Sequence, residues 1–286
     1  MGNDKPKDAA HRNGNDKKRA SKRASKPKRT ALVTGASGGI GRELAQLFAA
    51  DGHDLVLVAR SVEKLEELAG DLGKAHGVSA IVIAADLGDP DAPAFVADQV
   101  RSRGVPIDFL VNNAGFGSNG AFLDLALNRE LEMVDVNVRG LVELTHRLTR
   151  PMRDRGFGRV MNIASTAGFQ AGPYMATYYA TKAFVVSFTE ALAFELDGSG
   201  VTVTCYCPGA TATEFAKAAG NDKTRLFQRS GVADAKAVAL HAYRAMMRGE
   251  VLSIHGALNW IGAQSVRFTP RALMRSVVAG LNKTVS

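Results

Sequence analysis

From residue 30 onward the chain switches, again and again, between short β-rich apolar runs and longer stretches with apolar residues at helical spacing. This alternation constrains the fold more than any other feature. TALVTGAS (30–37) is followed by GIGRELAQLFAADG, with Leu44, Leu47 and Phe48 on one helical face and Gly52 as a stop. DLVLVAR (54–60) is continuously apolar, as strands buried on both faces are. SVEKLEELAGDL then reads as a surface helix with Ser61 as its N-cap. AIVIAAD (80–86), a helix over PDAPAFVADQVRSRG, IDFLVNNAG (107–115) and a long helix around 129–149 continue the pattern. RVMNIAS (159–165), the helix holding YYATKAFVVSFTEALAFELDG, VTVTCYCPG (201–209) and EVLSIHG (250–256) complete it. Alternating strands and helices with right-handed crossovers predict an α/β fold: one doubly wound, Rossmann-like parallel sheet of about seven strands, flanked by helices. No linker or repeat interrupts residues 30–286.

Charge separates the first 29 residues from this body. The chain carries a formal +8, and residues 1–29 hold eleven Lys and Arg against three Asp. The remainder has 25 basic and 25 acidic residues, so no basic excess is left to suggest a nucleic-acid-binding body. The tail has almost no apolar residues to offset its ordering entropy and is expected to be disordered. It lacks the apolar segment of a secretory signal, and weak contact with an anionic surface is the one role its charge suggests. No apolar run is long enough to span a bilayer. Cys205 and Cys207 share one face of a strand, and two thiols do not complete a zinc site, so buried reduced thiols in a cytoplasmic setting are expected and no metal is. His241 and His255 read as scattered structural or surface residues.

The turn TGASGGIG (34–41) joins a buried strand to an amphipathic helix. There, Gly35 permits a tight turn, and Gly39 and Gly41 permit close approach and helix packing. Backbone N–H groups and the helix N-terminus can then reach a dinucleotide phosphate. The second strand ends in Arg60, where an acid would accept the 2′-hydroxyl of NAD. An arginine instead suits the 2′-phosphate of NADP, with Ser61 as a further donor, so NADP(H) is expected over NAD.

Taken together, the motifs resemble the short-chain dehydrogenase/reductase family over nearly all of residues 30–286. They are TGASGGIG, Asp86 after the third strand, NNAG at 112–115, Asn137 in VNVRG, Ser165 in NIAS, Tyr178 and Lys182 in YYATKAF, and the Pro208–Gly209 pair. Helix geometry alone places both Tyr178 and Tyr179 one turn from Lys182 and leaves the choice open. The family spacing selects Tyr178. The resemblance implies that Tyr178 is the general acid/base, that Ser165 holds the substrate oxygen, that Lys182 and a positively charged oxidised nicotinamide together lower the tyrosine pKa, and that Lys182 holds the nicotinamide ribose. Asn137 would orient a proton-relaying water. Ser37 and Ile40 would join the glycines at the phosphates, and Asp86 and Leu87 would bracket the adenine. Asn113, Ala114 and Gly115 would line the adenine and ribose channel, while Pro208, Gly209, Thr211 and Thr213 would cover the nicotinamide and diphosphate.

The implied activity is NADP(H)-dependent interconversion of a carbonyl and an alcohol on a small or lipophilic substrate, by a homodimer or homotetramer. The branch looks like reductases of acyl or steroid carbonyls. A cofactor-sensing binding protein tethered by its basic tail is the alternative, which the intact catalytic set disfavours. Residues 211–231 suggest a mobile lid. The C-terminal stretch, with Arg267, Arg271 and Arg275 between apolar residues, fits a packed helix, a pocket wall or a membrane-surface contact.

Overall fold

A computed structural model describes residues 28–213, 220, 224, 225 and 232–283. The seven expected strands are present: β1 (Thr30–Thr34), β2 (Asp54–Ala59), β3 (Ala80–Ala84), β4 (Phe109–Asn112), β5 (Gly158–Ile163), β6 (Val201–Cys207) and β7 (Leu252–Ile254). They form one parallel sheet in the order β3-β2-β1-β4-β5-β6-β7. A separate two-residue ladder pairs Thr211–Ala212 with Ala233–Asp234.

Both faces of the sheet are covered, which is why its strands are predominantly apolar. On one face Ala31, Val33, Leu55 and Leu57 meet α1 (Gly39–Ala50) and α2 (Val62–His76) through Leu44, Phe48, Leu65 and Leu68. On the other, Leu32, Val56 and Val58 meet α3 (Ala92–Ser102) through Val96 and Val100. The expected long helix is α4 (Leu127–Val134) continuing into α5 (Leu141–Asp154) through a π-helical turn at Asp135–Gly140, which carries Asn137. After β5 comes a 3₁₀ turn, Thr166–Phe169, and then α6 (Ala176–Glu195) with YYATK in its first turns. Helix α7 (Ala235–Arg248) lies against α1 through Val238, Ala239 and Ala242. Helices α8 (Ala257–Ser265) and α9 (Arg271–Asn282) follow β7.

Two expectations are corrected. Lys28 and Arg29, grouped with the tail, belong to the body: Lys28 pairs with Asp54 at 2.9 Å, and the Arg29 guanidinium lies 3.3 Å above the Phe157 ring. Their charge is spent on partners at the foot of the sheet rather than on solvent. The expected disorder of the preceding residues lies outside the described residues. His241 and His255 are not scattered. Their rings meet at 5.3 Å, and the Nδ1 atom of each is 3.2 Å from the buried Tyr206 hydroxyl, which donates to the Val238 carbonyl at 3.0 Å. Strand β6 and helix α7 bring together residues far apart in sequence. Cys205 and Cys207 are free, buried and 3.7 Å apart, as their strand spacing requires.

Candidate active site

Strand β1 is flanked by β2 and β4, so the strand order reverses beside it and a crevice opens at the carboxyl ends of these strands. Thr34 and Asn113 fix its floor. The Thr34 hydroxyl accepts the backbone N–H of Asn113 and of Ala114, both at 3.0 Å, and the Asn113 amide donates to the carbonyl of Thr34 at 2.9 Å and of Gly35 at 3.3 Å. Asn113 thus anchors the glycine turn with its side chain while bordering the cleft. Gly35 sits at φ 65°, where a Cβ would stand 2.8 Å from the Asn113 amide nitrogen. A Cβ on Gly41 would stand 2.3 Å from the Gly35 carbonyl oxygen. Gly41 therefore lets α1 pack against its own turn and does not itself face the cleft.

The cleft has a volume of about 550 Å³, within the range of small-molecule and cofactor sites. Every expected catalytic and cofactor position borders it except Gly41 and Asn137. At one end the α1 N-terminus opens onto it; its N-cap is Gly38, whose lack of a side chain leaves the first N–H groups of the helix uncapped by it. Arg60 and Ser61 lie further along. Ser61 holds the N-cap position of α2 but makes no side-chain capping bond, so that expectation holds for position and not for chemistry. The Arg60 guanidinium stands 3.7 Å from Asp86 and 3.9 Å from Glu132. Asp86 also accepts the Gly88 N–H at 3.0 Å. Lys64 borders the same end and was missed; a base in the first turn of a helix, against its dipole, was the available signal. The glycine cradle, the open helix N-terminus and this basic corner fit a phosphorylated dinucleotide.

At the other end α6 brings Tyr178 and Lys182 beneath the loop that carries Ser165. The Ser165 hydroxyl accepts the Ala167 N–H at 3.1 Å, capping the 3₁₀ turn, and hydrogen-bonds the Tyr178 hydroxyl. Lys182 donates to the Ile163 carbonyl at 2.8 Å, with its Nζ 5.8 Å from the centre of the Tyr178 ring. Burial pushes the Tyr178 hydroxyl well above its ordinary range, outweighing the Ser165 bond that favours tyrosinate; Lys182 is not among the causes. Burial also lowers the Lys182 amine to about 8, against a smaller opposing influence of Cys207 and Cys205. The expected tuning of Tyr178 by Lys182 is therefore not supplied by these side chains alone. Asn137 is buried behind them. Its amide donates to the Phe116 carbonyl at 3.0 Å and to the Thr181 hydroxyl at 3.1 Å, and its carbonyl accepts the Phe116 N–H at 3.1 Å. Its side chain is thus committed to locking the NNAG loop onto α6.

Tyr179 turns elsewhere. Its hydroxyl donates to the Asn282 side chain at 3.2 Å, and Asn282 donates to the Pro173 carbonyl at 3.0 Å. This latch seats α9, whose Val278 and Leu281 join Phe116 and Met175 as apolar walls around Tyr178. The sequence left the role of this C-terminal helix open; the structure makes it a wall. Of the expected lid, Thr211 and Thr213 border the cleft, while 214–219, 221–223 and 226–231 lie outside the described residues. Among the described residues no cluster of three or more metal-binding side chains occurs.

Comparison with known proteins agrees with this geometry. The short chain dehydrogenase family profile matches residues 29–224. Oxidoreductase UcpA of Escherichia coli strain K12 is 37% identical over 191 residues, 66% of this chain and 72% of that protein. A short-chain dehydrogenase from Sphingobium yanoikuyae, solved in complex with NADPH, is 34% identical and superposes with a TM-score of 0.76 over 86% of this chain and 95% of its own. A structure of a 7β-hydroxysteroid dehydrogenase is 26% identical, with a TM-score of 0.77 over 87% and 96%. The chain belongs to the short-chain dehydrogenase/reductase family of oxidoreductases, enzymes that act on CH–OH groups of small molecules.

Proposed function

We propose that the protein is an NADP(H)-dependent oxidoreductase that interconverts a carbonyl and an alcohol on a lipophilic substrate, with Tyr178 as the general acid/base. The observation that carries this reading is the Tyr178 hydroxyl. It is buried among apolar walls, bonded to Ser165 and backed by Lys182, at one end of a cleft whose other end is a glycine-rich helix N-terminus.

The nicotinamide dinucleotide, when bound, supplies or accepts the hydride, and its oxidised ring adds a positive charge to the site. The chain does the rest. Tyr178 gives its hydroxyl proton to the substrate carbonyl oxygen in reduction and takes one back in oxidation. The bond from Ala167 uses only an acceptor lone pair of Ser165, so its one hydroxyl proton, otherwise shared with the Tyr178 oxygen, can turn to the substrate oxygen. Lys182, held by the Ile163 carbonyl, has N–H groups left for a ribose and for favouring tyrosinate. Because burial raises the Tyr178 pKa, lowering it into a working range falls to positive charge in the loaded site. Asn137, with its side chain committed, is left its backbone carbonyl in the π-helical turn for any water relay. Arg60, Ser61 and Lys64 suit a ribose 2′-phosphate, and the neighbour solved with NADPH supports that preference. Met175, Val278, Leu281 and Phe116 favour a lipophilic carbonyl, consistent with the steroid-acting neighbour.

The test is a panel of acyl, steroid and small ketones, and the matching alcohols, assayed with NADPH or NADP and with NADH or NAD by nicotinamide absorbance. Turnover of bulky apolar members with NADPH, lowered about a hundredfold or more in Tyr178→Phe, is expected. Turnover undiminished in Tyr178→Phe would remove the assigned role.

A further inference from the structure

We propose that α8, the turn at Val266–Phe268 and α9 form a docking surface for an anionic lipid bilayer. The outer side of this unit is apolar. Leu258 and Phe268 are 86% and 87% exposed, and Trp260, Ile261, Leu273 and Val277 are each more than half exposed. Single exposed apolar side chains need no explanation, but six within 20 residues are a local concentration that asks for one. The inner side is different: Ala263, Val278 and Asn282 are buried against the body.

The charge around the patch selects the occupant. Residues 251–286 contain Arg267, Arg271, Arg275 and Lys283 and no Asp or Glu, whereas residues 30–250 hold 21 basic and 25 acidic residues. An ordinary solvated face mixes both signs. This one combines arginine with Trp, Phe, Leu and Ile, the composition of segments that lie in the headgroup region with their apolar side in the acyl boundary. A two-fold contact with a second copy through the same face would set these positive charges against one another with no acid to relieve them. Among the described residues no helix is long and apolar enough to cross a membrane, so the contact is peripheral. Helix α9 is shared, with Val278 and Leu281 facing the cleft and Leu273 and Val277 facing outward.

Trp260 is the chain's only tryptophan, so its fluorescence reads this surface and not the basic N-terminus. The full chain is mixed with vesicles of phosphatidylcholine alone, or with about 30% phosphatidylserine, with and without bromine on the acyl chains. We expect a saturable blue shift and bromine quenching of Trp260 with the anionic vesicles only, weakened at about 0.5 M salt. Leu258→Ser with Phe268→Ser should weaken vesicle affinity by about tenfold or more, and so should Arg267→Glu with Arg271→Glu and Arg275→Glu, with circular dichroism melts as the folding control. Should either set unfold, the wild-type quenching decides alone. Co-sedimentation with Trp260 unquenched would mean that the N-terminus does the binding and overturns the proposal. So would a concentration-dependent blue shift without lipid, accompanied by a rise in mass, which would assign the face to a second copy. So would the absence of binding. No substrate is needed, so these outcomes are independent of the proposed activity.

Discussion

Tyr178 and Tyr179 are adjacent and almost equally buried, at 8% and 7% exposure, yet their hydroxyls serve different neighbours. Replacing each by Phe removes one oxygen and keeps the ring, which separates chemistry from architecture. Tyr178→Phe deletes the group bonded to Ser165 and placed to move the proton. Its kcat should fall about 10²–10⁴-fold, the usual worth of a general acid, while NADPH affinity is retained. Tyr179→Phe leaves the Asn282 side-chain oxygen, in a residue only 1% exposed, without its donor. A buried acceptor so orphaned costs about 1–3 kcal/mol, or roughly 2–4 °C of melting temperature per kcal/mol in a chain of this size. Since α9 carries Val278 and Leu281, loosening it should raise KM for a bulky ketone and leave kcat near wild type. Asn282→Ala should do the same, and the double variant should fall short of the sum of the two, because both break one bond. Steady-state kinetics on one ketone, with thermal melts and NADPH titrations, measure all three. If Tyr179→Phe lost kcat and Tyr178→Phe kept it, the assignment of α6 would be refuted.

Three other outcomes follow from named contacts. Arg60→Asp places a third carboxylate beside Asp86 and Glu132 and should weaken NADPH by about tenfold or more while sparing NADH; isothermal titration with both cofactors checks this, and equal losses would end the 2′-phosphate assignment. Gly41→Ala drives a methyl to 2.3 Å from the Gly35 carbonyl oxygen and should cost about 1–3 kcal/mol in urea unfolding together with NADPH affinity, whereas an unstrained variant would show that the turn can widen. Lys182 binds its proton up to about pH 8 in the fold and up to 10.5 when unfolded. Between those values the unfolded state holds the extra proton, so this group lowers stability fully below pH 8 and its penalty fades as pH rises through the window. The full size is about 3 kcal/mol, so Lys182→Met should outlast wild type near pH 7 and lose about half or more of that advantage by about pH 9.5, and parallel urea midpoints across pH would contradict it.

The fold was legible because its determinants are local and periodic. Strands buried on both faces are rich in apolar and β-branched residues, and the runs at 55–59 and 201–207 show it directly. Helix α1 announces itself by Leu44 and Phe48, which reach the same core. What escaped has no local period. Nothing in the spacing of Tyr206, His241 and His255 indicates that they meet, because β6 and α7 become neighbours only once the crossover has closed. Arg29 looks like the last charge of a basic tail until Phe157, at the foot of β5, is set beneath it.

The site divides along the same line. Which residues gather was written in motif spacing, since a parallel sheet brings the ends of its strands to one edge whatever the loops contain. What each gathered residue does was not, because a pKa is a property of surroundings. In sequence, Lys182 one turn after Tyr178 suggests an ammonium lowering a phenol. In the fold the amine is turned to the Ile163 carbonyl, both groups are buried, and desolvation moves each toward its neutral form, tyrosine upward and lysine downward. A phenol that stays protonated and a lysine close to half-charged near pH 8 make a site poised to respond to added positive charge, and the bond from the Ser165 hydroxyl already favours the ionised phenol. The burial that holds the lone side chains back also magnifies each charge brought beside them, since both effects follow from the same low dielectric.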